Sequence, residues 1–359
     1  VFHGPVPSRA EETVQETGAI ILATGFRPYA PKTGEYGHGD LPEVITLSEM
    51  IKTLSETPAG ASRLLVNGRP IRRVGFVHCV GSRQIPGIHE EDESGRLNEY
   101  CSRVCCTSTL RAACEIRERF PETGVFDFYR DIRTYGRGHE GIYDKASADG
   151  VVFFRFEAED APKVEKAIGG DHPLQVTVKD VLTFGEEVTV GLDLLVLATG
   201  MEAADITGLV EMMKLPLGQE RFLQEVHPKL RPVELANGGM MLAGTCQAPM
   251  DIGEACAAAQ AAAVKASALL ARGYVELDPF VAEIDPEKCK GHGECAKECP
   301  EKAIQMSEGG KAAVVPALCT GCGMCVAVCP ENAIDVAGWT LKQYEAMVDA
   351  IAGLEGGVS

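Results

Sequence analysis

The segment Cys319-Thr-Gly-Cys322-Gly-Met-Cys325-Val-Ala-Val-Cys329-Pro330 sets four cysteines and a proline at C-x2-C-x2-C-x3-C-P spacing. Few folds accommodate so many thiols so close together. The short steps let three thiolates converge on one [4Fe–4S] cubane, while the longer step and the proline carry the fourth away toward a second cluster. Structural zinc sites use separated C-x2-C knuckles, so iron–sulfur chemistry is the expected reading.

The same framework stands 30 positions earlier as Cys289-Lys-Gly-His292-Gly-Glu-Cys295-Ala-Lys-Glu-Cys299-Pro300, and both halves continue Glu-x-Ala-Ile. This is the pattern of a bacterial-type 2[4Fe–4S] ferredoxin, an α+β domain with pseudo-twofold symmetry, expected over residues 279–338. Crossed ligation assigns Cys319, Cys322, Cys325 and Cys299 to one cluster and leaves Cys289, Cys295 and Cys329 one thiolate short at the other. His292 occupies the vacant position. Three outcomes stay open: imidazole ligation, a [3Fe–4S] cluster with His292 as a bystander, or loss of this cluster. Imidazole in place of thiolate raises a cluster's potential.

The rest of the chain reads as α/β. The apolar runs Gly18–Gly25 and Asp193–Gly200 both close in Ala-Thr-Gly and are expected as strands buried on both faces. Residues 239–244 give a third strand, followed by an Ala-rich helix over Ile252–Ala271. Strands at Val74–Cys79 and Val125–Arg130, with a helix over Ser102–Phe120 between them, form a βαβ unit. His89–Glu93 reads as a solvated loop. The apolar stripe Leu341, Tyr344, Met347, Val348 and Ile351 reads as a C-terminal helix that docks on the protein.

A second cysteine constellation lies in that βαβ unit. Cys79 ends a strand, and Cys101, Cys105 and Cys106 open the following helix, a C-x21-C-x3-C-C set. Cys101 and Cys105 share a helix face, and the strand end can bring Cys79 to them. Metal ligation and buried free thiols are both open on spacing alone. Cys114, Cys246 and Cys256 are expected as packing residues. The Ala-Thr-Gly strands and the Gly244-Thr245 turn before an Ala-rich helix suit a flavin domain, with a helix N-terminus facing the cofactor. Gly136-Arg-Gly-His-Glu-Gly141 satisfies G-x-G-x-x-G but does not follow a strand in a tight turn, so no dinucleotide is expected there.

Composition excludes several classes. With 34 basic against 52 acidic side chains in 359 residues, the net charge of −18 repels nucleic-acid phosphates and anionic lipid surfaces. The longest apolar stretch, residues 255–271, is interrupted by Gln260 and Lys265, so no membrane span is expected. Fourteen cysteines without a secretory leader suit a reducing compartment, and a cytoplasmic location is expected. The chain opens at Val1 rather than Met, as a fragment of a longer protein would.

Four strings, Cys79-Val-Gly-Ser-Arg83, Tyr100-Cys-Ser-Arg-Val-Cys-Cys106, Arg130-Asp-Ile-Arg-Thr-Tyr-Gly136 and Gly244-Thr-Cys-Gln-Ala-Pro-Met-Asp-Ile252, stand in the order found in the HdrA family of heterodisulfide reductase proteins. From about Gly18 to its end, the chain resembles the C-terminal portion of that family. The resemblance implies a thioredoxin-reductase-like, partial two-dinucleotide-binding flavoprotein followed by the ferredoxin domain. It implies a [4Fe–4S] cluster on Cys79, Cys101, Cys105 and Cys106, two to three clusters in all, and FAD closed over Thr24, Gly25, Gly244, Thr245, Asp251 and Ile252. Arg111 stands where the family places a lysine near the flavin ring. The family's Rossmann segment does not precede Gly18, and a companion chain is one source for that half of the FAD site.

The implied segments are 1–68 (part of the FAD domain), 69–200 (nicotinamide-domain-like, carrying the cysteines), 201–278 (the rest of the FAD domain), 279–338 (ferredoxin) and 339–359 (helix and tail). The implied function is electron transfer within a heterodisulfide-reductase-type complex, with flavin-based electron bifurcation as its fullest form. Implied partners are HdrB- and HdrC-like subunits, a hydrogenase-like or formate-dehydrogenase-like donor, and ferredoxin. No acid, base or nucleophile constellation accompanies the centres, so substrate chemistry is expected on another subunit. The competing reading is a flavin-free, degenerate paralogue serving as an iron–sulfur wire or assembly scaffold. An ordinary NAD(P)H-dependent reductase would need a C-x-x-C dithiol and a nucleotide loop after Val74, and the sequence has neither there.

Overall fold

The computed structural model describes residues 15–274, 280–307 and 309–353. It divides into two compact units, Val1–Ala271 and Arg272–Ser359. The domain boundary expected near residue 278 lies outside the described residues.

In chain order the first unit contains β1 (Ile20–Leu22), β2 (Val44–Thr46), α1 (Leu47–Glu56), β3 (Arg73–Val80), α2 (Cys105–Arg119), β4 (Gly124–Tyr129), α3 (Glu140–Ala148), β5 (Val152–Arg155), β6 (Lys163–Lys166), β7 (Leu174–Asp180), β8 (Glu186–Leu192), β9 (Leu194–Thr199), β10 (Met240–Leu242) and α4 (Ile252–Arg272), besides shorter pieces. Five strands form a parallel sheet in the order β2-β9-β3-β4-β5. Side chains alternate across such a sheet, so each strand supplies two cores. Val74, Phe76, Val125, Leu194 and Val196 pack with α1, α2 and α3. Val77, Phe128, Leu195 and Leu197 face the antiparallel sheet β8-β7-β6. Burying an aromatic or branched side chain of this size contributes roughly 1.5–3 kcal/mol, and Phe76, Phe128, Leu195 and Leu197 are fully buried.

The two Ala-Thr-Gly strands have different environments. In β9, between β2 and β3, Leu194–Ala198 are at most 2% exposed, as expected of a strand buried on both faces. In β1, Ile20 and Ile21 are 36% and 44% exposed, against expectation. That strand pairs only with β10, in parallel, so among the described residues its other edge has no neighbouring strand. Helix α2 begins at Cys105 rather than Ser102 because Arg103 takes a left-handed φ of 64° and the Ser102 side chain is hydrogen-bonded elsewhere. The His89–Glu93 loop is largely exposed, as expected, and buried Gln84 and Asn98 bond to each other across its base.

The second unit contains β11 (Ala282–Ile284), α5 (Glu294–Lys297), β12 (Ile304–Met306), β13 (Ala312–Val314), α6 (Met324–Ala327), β14 (Ile334–Val336) and α7 (Leu341–Ile351). Strands β11 and β14 pair antiparallel, as do β12 and β13. The sequence repeat is also a backbone repeat, with positive φ at Gly291 and Gly321, Gly293 and Gly323, and Lys302 and Asn332. A Cβ on Gly291 or Gly321 would lie 2.1 or 2.3 Å from a carbonyl oxygen, so only glycine fits there. Helix α7 forms, capped reciprocally by Thr340 and Gln343, but its apolar stripe does not dock as expected. Leu341 and Ile351 stay exposed, and the ring contact between Trp339 and Tyr344 and the Leu341 amide on Asp335 Oδ2 at 3.4 Å tie the helix back.

Candidate metal and flavin sites

In the ferredoxin-like unit each half contributes a short helix whose first turn carries a buried cysteine, Cys295 on α5 and Cys325 on α6. One cavity is lined by Cys319, Cys322 and Cys325 together with Cys299 from the other half. A second is lined by Cys289, Cys295 and Cys329, with His292 on its wall. The structure thus brings together the two crossed sets. Backbone amides donate to three of these sulfurs: Ala282 N to Cys319 Sγ and Ala303 N to Cys299 Sγ at 3.3 Å, and Ala333 N to Cys329 Sγ at 3.4 Å. Burial, reinforced by Cys319, pushes the free Cys325 thiol up to about 11. Amides of Ala312 and Gly291 pull Cys289 down. His292 Nε2 lies 3.8 Å from Glu331 Oε1, half-exposed at the rim of its cavity.

The second constellation sits where the C-terminal ends of β3 and β9 meet the start of α2. Cys105 and Cys106 are buried on α2, Cys79 stands near the end of β3 and Cys101 in the loop before α2, all as free thiols. Burial first, then Cys79, Cys106 and Cys101, raise the Cys105 pKa strongly. Cys79, Arg83 and Arg103 all hold left-handed φ values of 54–64°, a strain that non-glycine residues adopt only under firm surrounding contacts. Those contacts are present. Ser82 Oγ donates to Tyr100 O at 3.1 Å and accepts from Ser102 N at 3.1 Å, and Ser102 Oγ accepts from Met201 N at 2.8 Å. Gly200 makes this approach feasible, since a Cβ there would lie 2.7 Å from Ser102 Oγ and 2.9 Å from Gly81 O.

Sequence reasoning missed the polar residues around these thiols. Val74 and Phe76 face α2, so by alternation His78 does too, and likewise Asp127 after Val125 on neighbouring β4. His78 Nε2 lies 2.9 Å from Asp127 Oδ1 and 3.1 Å from Oδ2, with both side chains fully buried. Burial opposes the imidazolium, yet Asp127 and Cys106 outweigh it and hold the His78 pKa well above the ordinary histidine value. His78 in turn overcomes the effect of burial on Cys106 and lowers that thiol's pKa. Arg83 donates to Asp131 Oδ2 at 2.7 Å and approaches Cys79 Sγ at 3.8 Å. The usable signal was a polar residue inside each of two adjacent apolar strands.

The flavin-facing residues fall into two groups. Thr24 and Gly25 follow β1, Gly244 and Thr245 follow the paired β10, and Cys246 Sγ donates to Leu22 O at 3.3 Å, so these two turns come together. Asp251 caps α4, accepting from Glu254 N at 2.8 Å while its own amide donates to Glu254 Oε2 at 3.0 Å, and Ile252 is exposed on the first turn. Arg103 ties this helix start to the cysteine loop through Glu254 and through Pro249 O at 3.2 Å. Arg111 is exposed on α2 and makes no hydrogen bond or ion pair among the described residues. Cys114 and Cys246 are buried packing residues, whereas Cys256 is exposed because α4 buries only a narrow face around Ala262 and Ala266.

Among the described residues, no three metal-binding side chains already converge as they would on a single ion. A cubane asks for something else, one thiolate at each of four separated irons. The ferredoxin-like sets meet that requirement in donor chemistry, in crossed placement around two cavities and in backbone amides aimed at sulfur. The α/β set offers four free thiols from a strand end, a loop and a helix start, with the buried His78 next to Cys79 in the chain. Among the described residues no helix is long and apolar enough to cross a membrane.

Residues 282–336 match the family model of a 4Fe-4S dicluster domain. One of the HdrA-type iron–sulfur proteins of the CoB–CoM heterodisulfide reductase of Methanopyrus kandleri is 37% identical over 302 residues, 82% of this chain and 43% of that protein. The HdrA-type protein of the H2:CoB-CoM heterodisulfide,ferredoxin reductase of Methanothermobacter marburgensis is 37% identical over 306 residues, covering 83% of this chain and 44% of that protein. This chain therefore spans less than half the length of either relative. Among solved structures, the copper(II) complex of the HOCl-induced flavoprotein disulfide reductase RclA of Escherichia coli covers 74% of this chain and 48% of its own, at a TM-score of 0.40 and 11% identity.

Proposed function

The chain is related by descent to the HdrA proteins of heterodisulfide reductases, and from that premise we propose that it is an iron–sulfur electron-transfer component of a heterodisulfide-reductase-type complex, working between FAD and partner subunits. The observation that carries this reading is the pair of cavities in the ferredoxin-like unit, each lined by cysteines from both halves of the repeat. The groups those cysteines would hold are one-electron carriers, as is required wherever a flavin's electron pair is divided among partners.

The chain's own residues have defined parts in this reading. Cys299, Cys319, Cys322 and Cys325 hold one ferredoxin-type cluster, with exposed Cys322 marking the side from which a partner is met. Cys289, Cys295 and Cys329 hold the other, with His292 at the fourth corner. Cys79, Cys101, Cys105 and Cys106 hold a third cluster in the α/β unit, where the buried sheet excludes water from one side. Thr24, Gly25, Gly244 and Thr245 border FAD, and Arg103 keeps the α4 N-terminus beside the cysteine loop. Among the described residues the only histidine–carboxylate pair at this centre, His78 with Asp127, is fully buried, so it does not reach a substrate. Reduction of a disulfide substrate accordingly belongs to an HdrB-like partner, and ferredoxin and a hydrogenase-like or formate-dehydrogenase-like donor are the electron carriers that this chain would meet. Electron bifurcation would need the complete flavin site of the whole assembly. A reducing, cytoplasmic setting suits free thiols in these numbers.

The test is anaerobic mixing of the iron-loaded chain with reduced ferredoxin, followed by rapid-freeze EPR. Reduction of the clusters at the expense of ferredoxin is the expected result. Clusters that assemble yet exchange no electrons with ferredoxin or with added FAD would make them structural staples and favour a scaffold over an electron carrier.

A further inference from the structure

The chain carries a net charge of −18, yet the loop of residues 130–139 holds three arginines against one aspartate. That loop leaves the carboxyl end of β4, the edge where open parallel sheets place their binding sites. Asp131 is its hub. Arg83, after β3, donates to Asp131 Oδ2 at 2.7 Å, while Arg133 in the loop and Arg155 at the end of β5 stand off from that carboxylate at 3.9 and 3.7 Å, too far to hydrogen-bond. One carboxylate thus faces three guanidiniums. The Arg137 side chain is exposed and makes no ion pair among the described residues. The neighbouring carboxylates are engaged, with Glu140 accepting from Thr134 Oγ1 at 2.7 Å and buried Asp180 accepting from Arg155 N at 2.8 Å. A cationic surplus is left at the surface.

An apolar anchor stands beside it. The turn between β7 and β8 packs against β5, and its Leu182, more than half exposed, lines a cavity of about 300 Å³ together with Arg130, Asp131 and Arg155. Two residues further on, Phe184 is wholly exposed and holds a left-handed φ of 63°. That conformation is unfavourable for an aromatic residue, and a ring standing in solvent recovers nothing by packing. Arginine and aromatic side chains are the ones that interfaces favour. Asp131 and Glu140 on the cavity wall oppose a compact anion such as phosphate inside it, and Arg133, Arg137 and Phe184 lie outside its lining. The spread of charge fits carboxylates distributed over a protein surface.

We propose that this face, built from Arg133, Arg137 and Arg155 around Asp131 with Phe184 beside them, is the docking surface for an acidic electron-carrier protein that serves the α/β cysteine centre. The inference rests on the reading that Cys79, Cys101, Cys105 and Cys106 carry a cluster. The face adjoins those ligands directly. Arg83 reaches from Asp131 to within 3.8 Å of Cys79 Sγ, and Cys106 Sγ lies 3.7 Å from Asp131 O. A docked, reduced carrier gives up one electron and the oxidised cluster takes it, with no bond made or broken. Charge complementarity of this kind speeds encounter and selects the partner, which a chain of strong net negative charge needs if it is to meet an acidic carrier.

The experiment uses the full iron-loaded chain, purified anaerobically, and an acidic bacterial-type 2[4Fe–4S] ferredoxin as the carrier. Calorimetric titration of the oxidised pair at low ionic strength should show binding that weakens steeply with added chloride. Arg133→Glu/Arg137→Glu should weaken it about tenfold, whereas Lys52→Glu/Lys229→Glu, the same change in net charge at exposed lysines elsewhere, should weaken it about twofold at most. Phe184→Gly, which suits the left-handed turn, should weaken it about threefold. Equal weakening by the two double variants, unchanged affinity in Phe184→Gly, or no binding to the wild-type chain would overturn the proposal. So would displacement of ferredoxin by inorganic phosphate beyond that by chloride at equal ionic strength, the mark of a compact-anion site. Phe184→Gly decides even if the arginine variant fails to fold. Failure of the underlying reading would show separately, as the expected binding by a chain whose iron content is unchanged in Cys106→Ser.

Discussion

The two cysteine-rich regions solve the same problem by different means. In the ferredoxin-like unit the ligands lie close together in sequence, the turns between them are fixed by glycines, and the sulfurs receive hydrogen bonds from the backbone. In the α/β unit the ligands come from a strand end, a loop and a helix start, the turns are held by arginine and cysteine in strained left-handed conformations, and besides the Arg103 amide, which donates to Cys101 Sγ at 3.4 Å, the sulfurs have the side chains His78 and Arg83 as neighbours. Backbone-held sites depend on local spacing. Side-chain-held sites depend on the tertiary fold, so their properties can be changed one residue at a time.

This contrast predicts the largest effect in the smaller unit. Its core consists of Ala282, Ile304 and Ile334 together with Cys295 and Cys325, too small to hold a domain of this size without a metal staple. Iron chelation under reducing conditions is expected to abolish cooperative unfolding of this unit, read by calorimetry, while the α/β unit keeps its transition. Loss of both transitions, or of neither, would break the comparison. Next, Cys106→Ser is expected to remove about four iron atoms and leave the ferredoxin-type EPR signals intact, whereas Cys322→Ser should do the reverse.

His292→Cys sharpens the comparison within the repeat. It completes the second thiolate set, so iron content should stay level or rise by about one atom and the potential of that cluster should fall. A rise in potential would contradict the assignment of His292 to the fourth corner. Gly200→Ala comes next in size. A Cβ 2.7 Å from Ser102 Oγ forces the cysteine loop off the strand end, at an expected cost of about 1–3 kcal/mol, measurable by urea denaturation and accompanied by a broadened EPR signal from the α/β cluster. The smallest effect is expected for Glu254→Gln, whose ion pair with Arg103 is a third exposed and is worth about 0.5 kcal/mol.

The sequence made the ferredoxin-like unit legible almost residue by residue, because cluster ligands three and four apart leave the chain little choice of path. The βαβ unit was legible for a similar reason: the runs at Val74 and Val125 are long, apolar and bounded by turns. The exposure of β1 was not legible, because Gly18–Gly25 and Asp193–Gly200 share one pattern and differ only in how many strands flank them. Nor was the exposed stripe of α7, since periodicity marks an apolar face without saying what covers it. His78 and Asp127 were overlooked as single polar residues in apolar strands, and only the parallel pairing of β3 with β4 makes them one feature. Arg103 escaped because its partner Glu254 lies 151 positions away.

Among all these measurements, 57Fe Mössbauer spectroscopy of the anaerobically purified chain beside its Cys106→Ser variant bears most directly on whether this molecule is a multi-centre electron carrier. The account predicts a wild-type spectrum containing an extra cubane component beyond the ferredoxin pair, and its selective loss in the variant. Identical spectra from the two proteins would mean that the α/β cysteines hold no cluster, and the chain would then be a ferredoxin joined to a flavoprotein fragment with no redox centre of its own.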